Sequence, residues 1–170
     1  ILSPVKNCDW ASEMVLNPAI IKDPDSNRVH MLVRVSGPYP EKRVEGKPLP
    51  YPIFMAYGFS DDGGKTWTEP EMILPKDSGA PPHLFLLSSG VLISTYGRRK
   101  MPYGIMAMIS TDNGKSWQKD IRLYENTASD DIGYLTTVEL PNGDLITVFY
   151  ATESEDKPCV IMQQKWRIKV

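Results

Sequence analysis

The sequence predicts an all-β protein: a β-propeller of four-stranded blades, of which this chain holds about three. Three observations predict it. An eight-residue signature occurs twice, at residues 60–67 (SDDGGKTW) and 110–117 (STDNGKSW), and each copy follows an apolar run. The turns ending in Gly90 and Gly143 are related by nearly the same interval, about fifty residues. Period-2 alternation and short apolar runs bounded by turn residues recur, whereas sustained helical periodicity is missing. A strand-built repeat of this length is the sequence form of a propeller blade.

The elements follow in order. The first blade, residues 17–75, reads as strands at 17–21, 29–35, 53–59 and 71–74, with the turn Asp23-Pro24-Asp25-Ser26-Asn27 after the first strand. The second, 83–125, reads as strands at 83–87, 91–96, 105–109 and 121–124, with its first turn at Ser88-Ser89-Gly90. The third, 134–168, reads as strands at 134–140, 144–150 and 160–168, with its turn at Pro141-Asn142-Gly143. Within each eight-residue signature, Asp62 or Asp112 is positioned to accept hydrogen bonds from turn N–H groups. Glycine takes the positive-φ position, and Trp67 or Trp117 packs back beneath the turn. Those aspartates therefore read as structural. Residues 38–52 (PYPEKRVEGKPLPYP) are too long for a tight hairpin and read as a loop arching over one face.

About eleven strands, just under three blades, leave two edges to be covered, because propellers close with roughly four to eight blades. The sequence thus reads either as part of a longer protein or as half of a ring closed by a homodimer. The chain has 170 residues and ordinary globular composition. Its net charge of −2 gives no electrostatic footprint for nucleic acid or an anionic membrane surface. No apolar stretch approaches the roughly 20 residues of a membrane-spanning helix. The chain has no initiator methionine and no signal-like opening, which reads as a processed or trimmed chain. Cys8 and Cys159 read as two buried free thiols in preference to a bridge. No metal-binding spacing, dinucleotide fingerprint or P-loop is present, so no cofactor is expected.

The two octets resemble the Asp boxes of sialidases and related glycoside hydrolases with propeller folds. Residues 133–150 (GYLTTVELPNGDLITVFY) are similar to the sialidase segment carrying the catalytic tyrosine, and residues 81–97 (PPHLFLLSSGVLISTYG) extend the likeness. Residues 16–21 (LNPAII) and 30–34 (HMLVR) also look somewhat like five-bladed glycosidases and glycoside phosphorylases. The resemblance implies a sialidase-type propeller acting as an exo-glycosidase on a terminal sugar, in a secreted or periplasmic location. Its partner would be a carbohydrate, not nucleic acid or membrane.

In propellers of this type the innermost strand of each blade starts near the central pocket. Repeat alignment puts Asn17, His83 and Tyr134 at those starts, a convergent set of polar residues. The resemblance makes Tyr134 the nucleophile. A neutral phenol avoids the repulsion that an anionic carboxylate would meet from a sugar bearing its own carboxylate. Asp131, or Asp130 beside it, would serve as base or bind sugar hydroxyls, and His83 would move or orient a proton. Arginines clamp the substrate carboxylate in sialidases. Arg98 and Arg99 occupy a similar location, with Asn17 and Arg34 as further substrate-binding candidates and Arg43 as a weaker one. The chain departs from the pattern where Leu16-Asn17-Pro18 replaces the first arginine motif and Phe149-Tyr150-Ala151 lacks its partner glutamate. Nothing between Leu74 and Pro81 matches the middle blades, and the loop acids Glu41 and Glu45 have no residue-by-residue counterpart. The alternative reading is a non-catalytic glycan- or protein-binding module.

Overall fold

A computed structural model describes residues 3–39, 43–44, 47–48, 52–75, 81–125, 127–154 and 156–168. Strands β1 (Met14–Lys22), β2 (Val29–Ser36), β5 (Ile53–Ser60) and β6 (Glu71–Leu74) form one antiparallel sheet in that order. A short pair, β3 (Arg43–Val44) and β4 (Lys47–Pro48), stands apart within the β2–β5 connection. The second sheet contains β7 (His83–Leu86), β8 (Leu92–Arg98), β9 (Gly104–Ser110) and β10 (Gln118–Tyr124). The third contains β11 (Gly133–Glu139), β12 (Leu145–Ala151) and β13 (Val160–Trp166). Every four- or three-stranded sheet is therefore an up-and-down meander, the predicted all-β architecture of a partial propeller.

Turn chemistry sets each register. Asp23 accepts from the Asp25 N–H at 2.9 Å and from the Ser26 hydroxyl at 2.8 Å, closing the β1–β2 turn. The β7–β8 and β11–β12 turns are the same device. Leu87 N–H bonds Val91 O and Gly90 N–H bonds Leu87 O; Leu140 N–H bonds Asp144 O and Gly143 N–H bonds Leu140 O. Gly90 and Gly143 adopt φ of 83° and 77°, the left-handed region that such turns demand. β1 begins at Met14, three residues earlier than the sequence indicates. Met14–Leu16 pairs with Arg34–Ser36 before a bulge at Asn17-Pro18, where proline's missing N–H removes no ladder bond.

The Asp boxes form as expected. The Asp62 carboxylate accepts from the N–H groups of Lys65 and Thr66 and from the Thr66 hydroxyl; Ser60 Oγ accepts from Gly64 N–H at 2.8 Å. Asp112 repeats the pattern with Ser116, and Ser110 Oγ repeats it with Gly114 N–H at 2.9 Å. These bonds, led by the Ser116 hydroxyl, hold the Asp112 carboxyl down at about 2. Trp117 packs onto the first core cluster and meets Tyr57 edge-on, centroids 5.6 Å apart.

The sheets stack face to face. Leu32, Met55 and Tyr57 of the first pack on Leu92, Tyr96 and Met108 of the second. Ile93, Ile105 and Ile109 of the second pack on Leu135, Leu145 and Phe149 of the third. The hydroxyls of Thr95, Thr137 and Thr147 bond in series at 3.0 and 2.9 Å through that second core, ending on Trp166 Nε1. Inner strand β7 touches β1 on one side and β11 on the other, which sets the starts of the inner strands side by side. The far face of the first sheet is covered by the N-terminal segment, whose Ala11 is buried against Met31, Val33 and Val35. The far face of the third sheet leaves Val138, Val148 and Ile161 exposed.

Both cysteines are free, as expected. Neither is buried, contrary to expectation: Cys8 is half-buried, and Cys159 is exposed because it stands in the loop leading to β13, the edge strand of its sheet among the described residues. Most of the 38–52 loop, including Glu41 and Glu45, lies outside the described residues.

Candidate functional site

Two inner strands begin with the same backbone irregularity. Asn17 in β1 and Tyr134 in β11 adopt φ of 47° and 46°, a conformation that side-chain-bearing residues rarely take. In both, one extra residue on the inner strand shifts the pairing, between Leu16 and Ala19 in one sheet and between Gly133 and Thr136 in the other. Bulges of this kind re-aim a side chain and recur beside active sites. Across from them, Arg34 pairs with Leu16, and Tyr150 pairs with Gly133. Asn17 with Arg34 is thus the counterpart of Tyr134 with Tyr150.

The side chains meet. Arg34 Nη1 donates to Asn17 Oδ1 at 3.0 Å, while Arg34 Nε is buried with no hydrogen-bond partner. Burial lowers the Arg34 pKa, the neighbouring Arg99 charge lowers it further, and Tyr134 acts in the opposite direction. Tyr134, 73% exposed, stacks on Tyr150 with ring centroids 5.8 Å apart. The Tyr150 hydroxyl donates to Asp131 Oδ1 at 2.8 Å and accepts from Arg99 Nη2 at 3.3 Å. Arg99 is fixed by Ile132 O, which accepts from Nε and Nη2 at 3.1 and 2.8 Å. The other carboxylate oxygen of Asp131 takes the Cys159 thiol at 3.4 Å. The Tyr150 bond above all, then the thiol, holds the Asp131 carboxyl below its usual range. Burial, followed by that same bond, raises the Tyr150 phenol.

Of the residues singled out by sequence, Asn17, Arg34, Arg99, Asp131 and Tyr134 come together. His83 and Arg98 do not join them. His83 starts β7 without the bulge; its Nδ1 accepts the Thr137 N–H at 3.2 Å, its ring stacks on Phe85, and burial lowers its pKa. It bridges two inner strands as a neutral ring. Arg98 Nε donates to Pro102 O at 2.6 Å within its own loop. Asp131 is committed to Tyr150, and among the described residues no carboxylate hydrogen-bonds the Tyr134 hydroxyl. Tyr150 is the member that sequence reasoning passed over, noted there only as the place of a missing glutamate. Counting residue pairs back from the Asn142-Gly143 turn brings it opposite the Gly133–Tyr134 step. Among the described residues no group of three His, Cys, Asp or Glu side chains is arranged to hold a metal ion.

The model of the BNR/Asp-box repeat matches residues 59–69 and 108–119. No curated protein matches the chain. Among solved structures, a Hadza microbial sialidase superposes with a TM-score of 0.62 at 17% identity, over 88% of this chain and 31% of its own. The α-L-arabinanase of Penicillium chrysogenum, solved with arabinobiose, gives 0.62 at 17% identity, over 96% of this chain and 48% of its own. A protein of unknown function from Dyadobacter fermentans gives 0.61 at 22% identity, over 89% of this chain and 50% of its own. The chain therefore spans between about a third and a half of the length of these neighbours. At such identities the likeness establishes the fold. The chain has the fold of a partial β-propeller, similar to those of the sialidase and the arabinanase, and carries two matches to the BNR/Asp-box repeat.

Proposed function

We propose that this chain is the substrate-facing part of a sialidase-like glycoside hydrolase acting on a terminal sugar that carries an anionic group. One observation carries the reading. Arg34 keeps a buried, unpartnered Nε–H beside the like charge of Arg99, at the foot of an exposed tyrosine. A buried donor without an acceptor costs roughly 1–3 kcal/mol, more when charged, and a bound carboxylate would remove that cost. Arg34 thereby takes the place of the arginine missing at residues 16–18, one strand away. The glycoside hydrolases among the fold's neighbours support a carbohydrate ligand.

In this reading Tyr134 Oη attacks the anomeric carbon as the glycosidic C–O bond breaks, and the leaving oxygen takes a proton from a general acid. Water then cleaves the tyrosyl–sugar bond, restoring the phenol. A base must receive the Tyr134 proton. Asp131, held by Tyr150, is not that base.

A second reading, a glycan-binding module without turnover, is favoured by that same commitment of Asp131. Fluorogenic glycosides of sialic acid, glucuronic acid and arabinofuranose decide between the two. The first reading expects release from an acidic sugar, reduced roughly 100-fold or more by Tyr134→Phe, as for loss of a covalent nucleophile. Full turnover by Tyr134→Phe contradicts the nucleophile; binding of acidic sugars without turnover establishes the second reading.

A further inference from the structure

Asn17 is held in a conformation that its surroundings oppose. Its φ of 47° lies in the left-handed region, and the following Pro18 ordinarily pushes the residue before it to an extended backbone. Glycine would take the left-handed conformation without a steric penalty, so a side chain at this position carries a conformational cost. That side chain accepts one hydrogen bond, from Arg34 Nη1 at 3.0 Å. A guanidinium offers only donors, which fixes the amide oxygen as the atom facing it.

Neither arginine of the cluster is neutralised by an acid. The ion pairs among the described residues are made by Arg28, Arg122, Lys157, Lys165 and Arg167. Arg34 rests on the Asn17 amide oxygen. Arg99 rests on the Ile132 carbonyl and on the Tyr150 hydroxyl, which in turn bonds the Asp131 carboxylate. Every direct acceptor is neutral, while the two guanidinium groups act on each other as like charges.

We propose that Asn17 is a positioning residue that sets the charge specificity of the site: as a neutral acceptor it fixes Arg34 without neutralising it, and so commits the site to an anionic sugar over a neutral one. The proposal rests on the functional reading above and deepens it, by giving the reason the Arg34 charge stays available. Aspartate has nearly the same size and tolerates the same backbone. It would hold Arg34 more strongly, through a charge-assisted bond. It would also cancel the guanidinium charge and set a carboxylate beside the bound anion, where like charges repel. Asn17→Asp therefore combines tighter holding with weaker binding, a combination that a purely structural role does not produce.

The test measures, by NMR titration, the affinities of sialic acid, glucuronic acid and glucose for the unaltered protein and for Asn17→Asp, Asn17→Gly and Arg34→Met. Asn17→Asp is expected to melt no lower than the unaltered protein. It should weaken the acidic sugars roughly tenfold or more, the order of the interaction between an aspartate and a neighbouring arginine, and leave glucose within about twofold. Asn17→Gly keeps the backbone and loses only the acceptor, so it should weaken the acidic sugars by only about two- to fivefold. Acidic sugars bound by Asn17→Asp as well as by the unaltered protein, glucose weakened alongside them, or a larger loss in Asn17→Gly than in Asn17→Asp overturns the proposal. The functional reading is spared in each case if Arg34→Met abolishes binding of the acids. Acidic sugars that fail to bind the unaltered protein, or that bind Arg34→Met undiminished, overturn both.

Discussion

The Tyr57 hydroxyl of the first sheet lies against Gly114 in the Asp box of the second, where any β carbon would overlap it. The same hydroxyl bonds His30 Nδ1 at 2.7 Å, and Trp117 packs edge-on to the Tyr57 ring. The second Asp box is thus more than a hairpin turn. It locks one sheet onto the next and fixes how their inner strands stand side by side.

Gly114 should therefore be the least replaceable glycine among the box and turn positions. Gly114→Ala combines the left-handed penalty at φ 87° with a collision against a buried ring, an expected loss of about 2–4 kcal/mol. Gly143→Ala, at φ 77° with nothing near its β position, should cost only about 1–2 kcal/mol. Denaturant unfolding of the two variants measures the difference, and equal losses would contradict the interlock.

Trp117→Ala removes the aromatic beneath that box. A loss of about 2–4 kcal/mol is expected from thermal or denaturant unfolding, somewhat below that of a fully buried aromatic because Trp117 is partly buried. Near-normal melting would show that the box is held without its tryptophan.

Stability should fall in two stages on acidification. His30 is fully buried with Nε2 unpartnered, and burial, then the Arg28 charge, lowers its pKa. Between the ordinary value of 6.5 and that lower folded value, the unfolded chain binds the proton more readily than the folded one. This stability is complete above pH 6.5 and declines as the pH falls below it; His83 shifts in the same direction. The second stage lies below pH 4, where Asp112 and Asp144, each held at about 2, give up theirs. Melting temperatures from pH 8 to 3 check both stages, and His30→Gln should flatten the first.

Tyr150→Phe keeps the ring that stacks on Tyr134 but frees Asp131 and removes a partner of Arg99. With Asp131 and Arg99 no longer held in place, affinity or turnover for an acidic sugar should drop about 10- to 100-fold, the order expected for misplaced binding groups. Melting should change little, since Tyr150 is only partly buried near the end of β12. An unchanged affinity and rate would make the Tyr150–Asp131 bond a bystander.

Much of this was legible in the sequence. The Asp boxes, the Gly90 and Gly143 turns and the alternating runs placed eleven strands to within a few residues, because each signal is local. The bulges at Asn17 and Tyr134 were not legible, since nothing local marks an extra residue in an inner strand. Without the bulge, counting from the Asn142-Gly143 turn sets Tyr134 itself opposite Tyr150; the one-residue shift puts Gly133 there and turns Tyr134 outward. Arg34 reads as one polar residue in an apolar strand, and its role depends on lying opposite Leu16 and near Arg99, which follows β8 of the neighbouring sheet. His83 aligned correctly as the start of an inner strand, but alignment does not reveal that its ring bonds the next strand's backbone.

A crystal structure of the protein soaked with an acidic saccharide tests the central claim most directly. The account predicts its carboxylate between Arg34 and Arg99, within hydrogen-bond reach of Arg34 Nε, with the anomeric carbon facing the Tyr134 hydroxyl. A sugar bound elsewhere, or an Arg34 Nε still unpartnered with sugar present, would contradict it.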